Sequence, residues 1–168
     1  RRGFLIGAST FGAGLSIGFL PGLASGASEK AAMDEVNAWV QIATDDTVTV
    51  RIVRSEMGQG TLTGLAQLVA EELQCDWDKV TWEFPTPGES LARERVWGSF
   101  STGGSRGLRS SQQYVREGGA AARMMLVQAA ANKWGVPAVE CRGDNSVITH
   151  GKSGRTHSYG NVAMAASE

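Results

Sequence analysis

The chain of 168 residues has only two cysteines, Cys75 and Cys141, too few for a disulfide framework or a four-thiolate iron–sulfur site. One disulfide between them and two half-buried free thiols both stay open. There is no excess of charge of either sign: the formal net charge is −1 and no Lys/Arg stripe is visible, so the electrostatic footprint of a nucleic-acid binder is missing. His150 and His157 flank a hairpin turn with no carboxylate or cysteine at ligand spacing, and both read as surface residues with no metal to hold. No Ser/His/Asp or Cys/His set is present, so no catalytic residue is assigned. The phosphate-binding Gly-Lys-Ser/Thr spacing and the six-residue dinucleotide fingerprint are both absent. Proline is scarce too, 4 against 22 glycines, and glycine at that density suits tight loops and close backbone approach more than long regular helices. A hydrophobic content of 42 % argues against global disorder.

The chain opens RRGFLIGASTFGAGLSIGFLPGLASGAS. Arg1 and Arg2 precede an apolar, Gly/Ala-rich run from Phe4 to Leu20, then Pro21 and small residues through Ser28. That order reads as the end of a twin-arginine export signal. The run approaches spanning length, but its Gly, Ser and Thr residues make a poor anchor. Such export carries proteins already folded around a cofactor, so a periplasmic cofactor protein is expected, held at the membrane, if at all, through a partner. Residues 1–28 are therefore set apart, and residues 29–168 are read as one domain.

Within that domain Asn37 to Ile42, a turn at Thr44-Asp45-Asp46, and Val48 to Arg54 predict a β-hairpin, with Val48, Val50 and Ile52 alternating as a half-buried strand does. Leu62, Leu65, Leu68, Val69 and Leu73 recur at helical spacing, with Glu71 and Glu72 on the polar side. Val80 to Phe84 predicts a strand, and residues 85–109 a long Pro/Gly/Ser/Arg loop of functional length. A long helix is expected from about Ser110 to Trp134, with Val115, Met124, Met125, Val127 and Ala130 available for burial. Inside it Gly118-Gly119 costs about 1 kcal/mol per glycine against alanine, so close packing against another backbone is the expected reason. Val147-Ile148-Thr149 and Thr156-His157-Ser158 predict a second hairpin, with Ser158 capping a last short helix. The fold class is α+β, built of strand–loop–helix units, and no internal repeat stands out. Trp39, Trp77, Trp82, Trp97 and Trp134 read as core or interface anchors, Trp97 also as a cofactor neighbour.

Two loops share one design: MGQGT, residues 57–61, and STGGSRGLRSS, residues 101–111, each open a helix. The first N–H groups of a helix lack intrahelical partners and its dipole favours negative charge. Glycines let a ligand approach those amides, so each loop is a candidate cradle for phosphate or a polar ring. Thr61, Ser105, Ser110 and Ser111 add hydroxyls; Arg106 and Arg109 add charge that suits phosphate. The amide of Gln59 between two glycines suits the edge of a heterocycle. Taken alone, a Gly-x-Gly turn before a helix is more often only a turn, and a Ser-rich helix start more often only a cap.

Taken together, AWVQIATDDTVTVRIVRSEMGQGTLTGLAQLVAEELQCDWDKV, STGGSRGLRSS and AAARMMLVQAAANKWGV resemble the molybdopterin-binding large subunits of the molybdenum hydroxylase (xanthine oxidase/aldehyde oxidase) family, most of all the isoquinoline 1-oxidoreductase and periplasmic aldehyde dehydrogenase branch. The resemblance covers essentially everything after the export signal, and implies part of a molybdenum-cofactor-binding domain. It implies contact with the pterin at Gly58, Gln59, Gly60 and Thr61, and with the phosphate-bearing tail at Gly103, Gly104, Ser105 and Arg106. It further implies a molybdopterin cofactor in the cytosine dinucleotide form and oxidative hydroxylation of an aldehyde or N-heterocycle with water-derived oxygen. Electrons would pass to a small subunit carrying 2Fe-2S clusters, and in some relatives onward to a cytochrome c subunit. Subunits of this family are several times longer, and their catalytic glutamate lies in a Gly-rich motif not found here. The expectation is thus an N-terminal piece of such a subunit, inactive by itself, rather than a split subunit. The rival readings are a non-catalytic exported α+β interaction module and a dinucleotide enzyme without molybdenum.

Overall fold

The structure, a computed structural model, describes residues 33–167. The predicted export signal at 1–28 lies outside those residues. The expected strand from Asn37 is split by Asn37 itself, whose Oδ1 accepts hydrogen bonds from the N–H groups of Trp39 (2.9 Å) and Val40 (3.0 Å). This side-chain turn separates β1 (Met33–Asn37) from β2 (Val40–Ala43), and the two pair antiparallel. β3 (Val48–Arg51) returns antiparallel to β2 and is buried along its whole length, Thr49 and Arg51 included. The half-buried alternation expected there is overridden because β3 is an inner strand. Its other neighbour is β4 (Val80–Glu83), which runs parallel to it, reached through α1 (Thr61–Leu73) and a 3₁₀ turn at Trp77–Lys79. The sheet order is β1-β2-β3-β4, and β3–α1–β4 is its parallel crossover unit.

Residues 85–109 are not a plain loop. α2 (Pro87–Ala92) starts with a reciprocal cap in which the Thr86 hydroxyl accepts from Glu89 N–H (3.1 Å) and the Glu89 carboxylate from Thr86 N–H (2.5 Å). α3 (Arg106–Arg109) is a single turn leading into α4 (Gln112–Trp134), which Gly135 ends in the left-handed conformation at φ 65°. A second sheet follows: β5 (Cys141–Asp144), β6 (Val147–His150) and β7 (Thr156–Ser158), all antiparallel. β5 was not expected, since CRGD carries no apolar alternation. The last helix, α5 (Ala163–Ser167), starts five residues after Ser158, which therefore does not cap it.

α1 and α4 lie together over the first sheet, and Val40, Val50, Leu65, Val69, Val115 and Leu126 form the middle of the core. Tyr159, fully buried, donates its hydroxyl to Leu73 O (2.8 Å) and so ties the end of β7 to the end of α1. Arg51 is buried with its charge paired: Nε donates to Glu83 (2.7 Å) and Nη1 to Glu35 (2.6 Å). Burial alone would push the Glu35 carboxyl up, but hydrogen bonds from Arg93 and Arg51 hold it below its ordinary value. Both guanidiniums lie over the Trp97 ring, which gives its indole N–H to Ala38 O (2.6 Å).

Several side chains sit otherwise than expected. Met124 and Met125 are exposed on α4, while Val115 and Ala130 are buried and Val127 is half-buried. Trp77 and Trp82 are exposed, whereas Trp39 and Trp134 pack on the core. His150 is 4 % exposed rather than on the surface, with Nε2 facing Glu140 (2.9 Å) and Nδ1 facing Ser153 Oγ (2.7 Å). Glu72 is paired with Arg116 and only Glu71 is left as a solvated acid. Cys75 and Cys141 are free thiols, and burial pushes Cys75 up to about 12.

Gly118 and Gly119 do mark a close approach. A Cβ on Gly118 would meet the Trp39 ring at 3.0 Å, and one on Gly119 would lie 2.6 Å from Val69 O on α1. Alanine in a helix interior gains about 1 kcal/mol over glycine. Overpacking against rigid backbone costs about 1–3 kcal/mol and wins here. Gly119→Ala is accordingly expected to lower the denaturation midpoint; an unchanged or raised midpoint would show that α1 and α4 are not in backbone contact.

Candidate functional site

The chain leaves β3 and enters residues 55–61 at the carboxyl end of a parallel strand, the edge at which open α/β sheets place their ligands. Glu56 shapes this segment. Its Oε1 accepts the N–H groups of Gly58 (2.8 Å) and Gly60 (3.0 Å), and its Oε2 that of Leu62 (2.9 Å). Hydrogen bonds from Leu62 and Gly60 hold the Glu56 carboxyl below its ordinary value. Gly58 and Gly60 take φ of 89° and 76°, with nothing within 4 Å of a hypothetical Cβ, so it is the backbone conformation that calls for glycine. Gln59 closes the loop, with Nε2 donating to Ser55 O (2.8 Å) and Oε1 accepting Met57 N–H (2.6 Å). The amide cradle expected at the start of α1 is thus filled by the protein's own carboxylate. Gln59 has one N–H and one lone pair left beyond the loop.

The second loop is different. Gly103, Gly104 and Ser105 have φ of 152°, 56° and 57°, and among the described residues no acceptor is recorded for their N–H groups. Arg106 donates through Nε to Gly103 O (3.3 Å) and through Nη2 to Ser101 Oγ (3.1 Å), and makes no ion pair among the described residues. The loops touch directly, Ser55 N–H donating to Thr102 Oγ1 (2.9 Å). α3 presses onto α1: a Cβ on Gly107 would lie 2.6 Å from Thr61 Oγ1, and one on Gly64 3.0 Å from Leu108 Cδ2.

Between them lies a pocket of about 280 Å³. Gln59, Thr61, Gly103, Ser105 and Arg106 line it, with Met57 and Leu108 as its apolar members. The other three predicted residues, Gly58, Gly60 and Gly104, shape the two loops without lining it. Trp97 is not a pocket residue, being engaged with Arg51 and Arg93. Ser111 is fully buried and accepts from Arg54 Nε (2.9 Å). Sequence reasoning missed Glu56 and Arg54; an acid two residues ahead of Gly-x-Gly at a helix start was the available signal for the first. Among the described residues no His/Cys/Asp/Glu group could hold a metal ion, and no helix is long and apolar enough to cross a membrane.

A family model described as "Molybdopterin cofactor-binding domain" matches residues 2–168. The chain is 34 % identical over 169 residues to the beta subunit of isoquinoline 1-oxidoreductase from Brevundimonas diminuta, covering 98 % of this chain and 22 % of that subunit. It is 32 % identical over 171 residues to the membrane-bound aldehyde dehydrogenase (pyrroloquinoline-quinone) of Gluconacetobacter polyoxogenes, covering 96 % and 21 %. The chain therefore spans about a fifth of the length of these curated relatives. The crystal structure of quinoline 2-oxidoreductase from Pseudomonas putida 86 superposes with a TM-score of 0.48 at 17 % identity, over 75 % of this chain and 15 % of that one.

Replacing Glu56 by Gln keeps the size but sets an NH₂ donor against backbone donors. The amide resonances of Gly58, Gly60 and Leu62 in Glu56→Gln are expected to shift and to lose exchange protection. Because the folded-state pKa is depressed, the carboxylate's contribution is present above the ordinary glutamate range and lost as pH falls through the lowered value. Wild-type resonances should therefore move the same way on acidification; resonances alike in both proteins at neutral pH would sink this role.

Proposed function

Because the chain belongs to the molybdopterin cofactor-binding domain family, we propose that it forms part of the cofactor wall of a periplasmic molybdenum hydroxylase acting on an aldehyde or N-heterocycle. The observation that carries this reading is the meeting of two glycine loops, each opening a helix, at one pocket lined by Gln59, Thr61, Gly103, Ser105 and Arg106. The residues fit such a group on two counts. The Cβ position of Gly103, which lines the pocket, is open for close approach, and Arg106 carries charge with no carboxylate of its own among the described residues.

Gln59 and Thr61 would orient the pterin ring by hydrogen bonds, and the free N–H groups around Gly103, Gly104 and Ser105 would receive the phosphates of a cytosine dinucleotide tail. Arg106 would add the matching charge. Met57 and Leu108 shed water from the pocket wall. When bound, the cofactor supplies the two-electron oxidation of the substrate carbon with oxygen taken from water. The residue that moves the proton is proposed to lie outside this chain, and electrons to leave through a small 2Fe-2S subunit, with a cytochrome c as a further acceptor. Export by residues 1–28 belongs to the same reading, as does membrane association through a partner.

The name of the Gluconacetobacter relative gives a second reading, in which the same guanidinium meets the carboxylates of pyrroloquinoline quinone. Metal and cofactor analysis of the full-length purified protein separates the two. Molybdenum and a pterin are expected at near one equivalent, whereas a molybdenum-free active protein containing the quinone would overturn the first reading. In the same full-length protein Arg106→Gln should retain cofactor about tenfold more weakly, the scale of one charge-assisted hydrogen bond. Gln59→Ala should lower molybdenum content; full occupancy in both variants would remove these residues from the site.

A further inference from the structure

A second cavity, of about 490 Å³, opens just outside the carboxyl ends of the two parallel strands β3 and β4. It shares no lining residue with the pocket between the glycine loops. Ile52, Phe84, Pro85, Pro87 and Phe100 give it apolar walls, and Arg54 is the cation among them. Arg54 is only 7 % exposed. Its Nε donates to Ser111 Oγ (2.9 Å), and its Nη1 donates to Ser99 O (3.0 Å) and to Ser101 O. All three acceptors are uncharged, and among the described residues Arg54 makes no ion pair. Nη2 has no recorded partner there, and no buried side-chain nitrogen or oxygen is left unsatisfied, so Nη2 must keep access to open space.

A cation withdrawn from water and left without a counter-charge is a costly arrangement unless an anion joins it. The acid that also borders this cavity, Glu56, is already committed through both carboxylate oxygens to loop N–H groups. Apolar walls with a few convergent polar groups, in a volume of this size and at this edge of a parallel sheet, are the general form of a small-molecule site. We propose that this cavity binds a small aromatic carboxylate, its ring between Phe84, Pro87 and Phe100 and its carboxylate on Arg54 Nη2. A planar guanidinium meets a carboxylate in matched geometry, and the rings of Phe84 and Phe100 supply the apolar contact that a bare inorganic anion cannot use.

The test is calorimetric titration of the full-length protein with benzoate, with benzamide as the neutral isostere, and with inorganic phosphate. Benzoate is expected to bind about tenfold or more tightly than benzamide, and phosphate not measurably. Arg54→Gln should abolish the preference for benzoate. Because Arg54 also holds backbone carbonyls, the decisive variant is Phe84→Ser, at a side chain 50 % exposed whose loss leaves the core intact. It should weaken benzoate about tenfold while leaving thermal unfolding unchanged. Equal binding of benzoate and benzamide, no benzoate binding by the full-length protein, or wild-type affinity in Phe84→Ser would each overturn the proposal.

Discussion

The contact between α1 and α4 carries the architecture. Gly119 of α4 lies against Val69 and Glu72 of α1, while Gly107 and Leu108 of α3 lie against Thr61 and Gly64 nearer its start. α1 and α3 each start at a glycine loop, and the contact of Thr61 with Gly107 sets those two starts side by side. Close packing is what makes this useful. With side chains in place of Gly107 and Gly119 the helices would be pushed apart, and the two loops would no longer border one pocket.

Around that contact the sheet supplies the fixed frame. β3 is held on both edges, and its one buried charge, Arg51, is neutralised by Glu83 of the adjacent β4 and by Glu35 of β1. Arg54, three residues further along the same chain segment, has no such acid among the described residues and instead grips the carbonyls at the start of the second loop. The first arginine locks strands to one another. The second locks the sheet to the loop that lies beside the pocket, across a sequence separation that local propensity could not bridge.

Much of this was legible in the residues. Helical spacing of Leu62, Leu65, Val69 and Leu73 placed α1, and Gly118-Gly119 announced a close approach because glycine is otherwise unfavourable there. The two loops were visible as glycines ahead of helices, and five of the eight residues named from them line one pocket. What was not legible depended on partners distant in sequence. His150 reads as a surface residue until Glu140 is seen beside it, and Arg54 reads like any strand-end cation until Ser99, Ser101 and Ser111 close on it. β5 has no apolar period to detect, since it is recruited by β6. The helix at Pro87–Ala92 was missed although its start was written out as Thr86-Pro87-Gly88-Glu89, a capping signature lost inside what reads as a long loop.

Glu56 has one further consequence. Its carboxylate makes the first loop electrically complete, so an incoming phosphate finds its amides taken and a negative charge already seated behind them. Among the described residues, the second loop has N–H groups without an acceptor and a guanidinium without an ion pair. The pocket is therefore polarised from end to end, and a ligand with an uncharged ring at one extremity and phosphates at the other can lie in it in only one direction. A single glutamate, touching no ligand, would set which way round the guest lies.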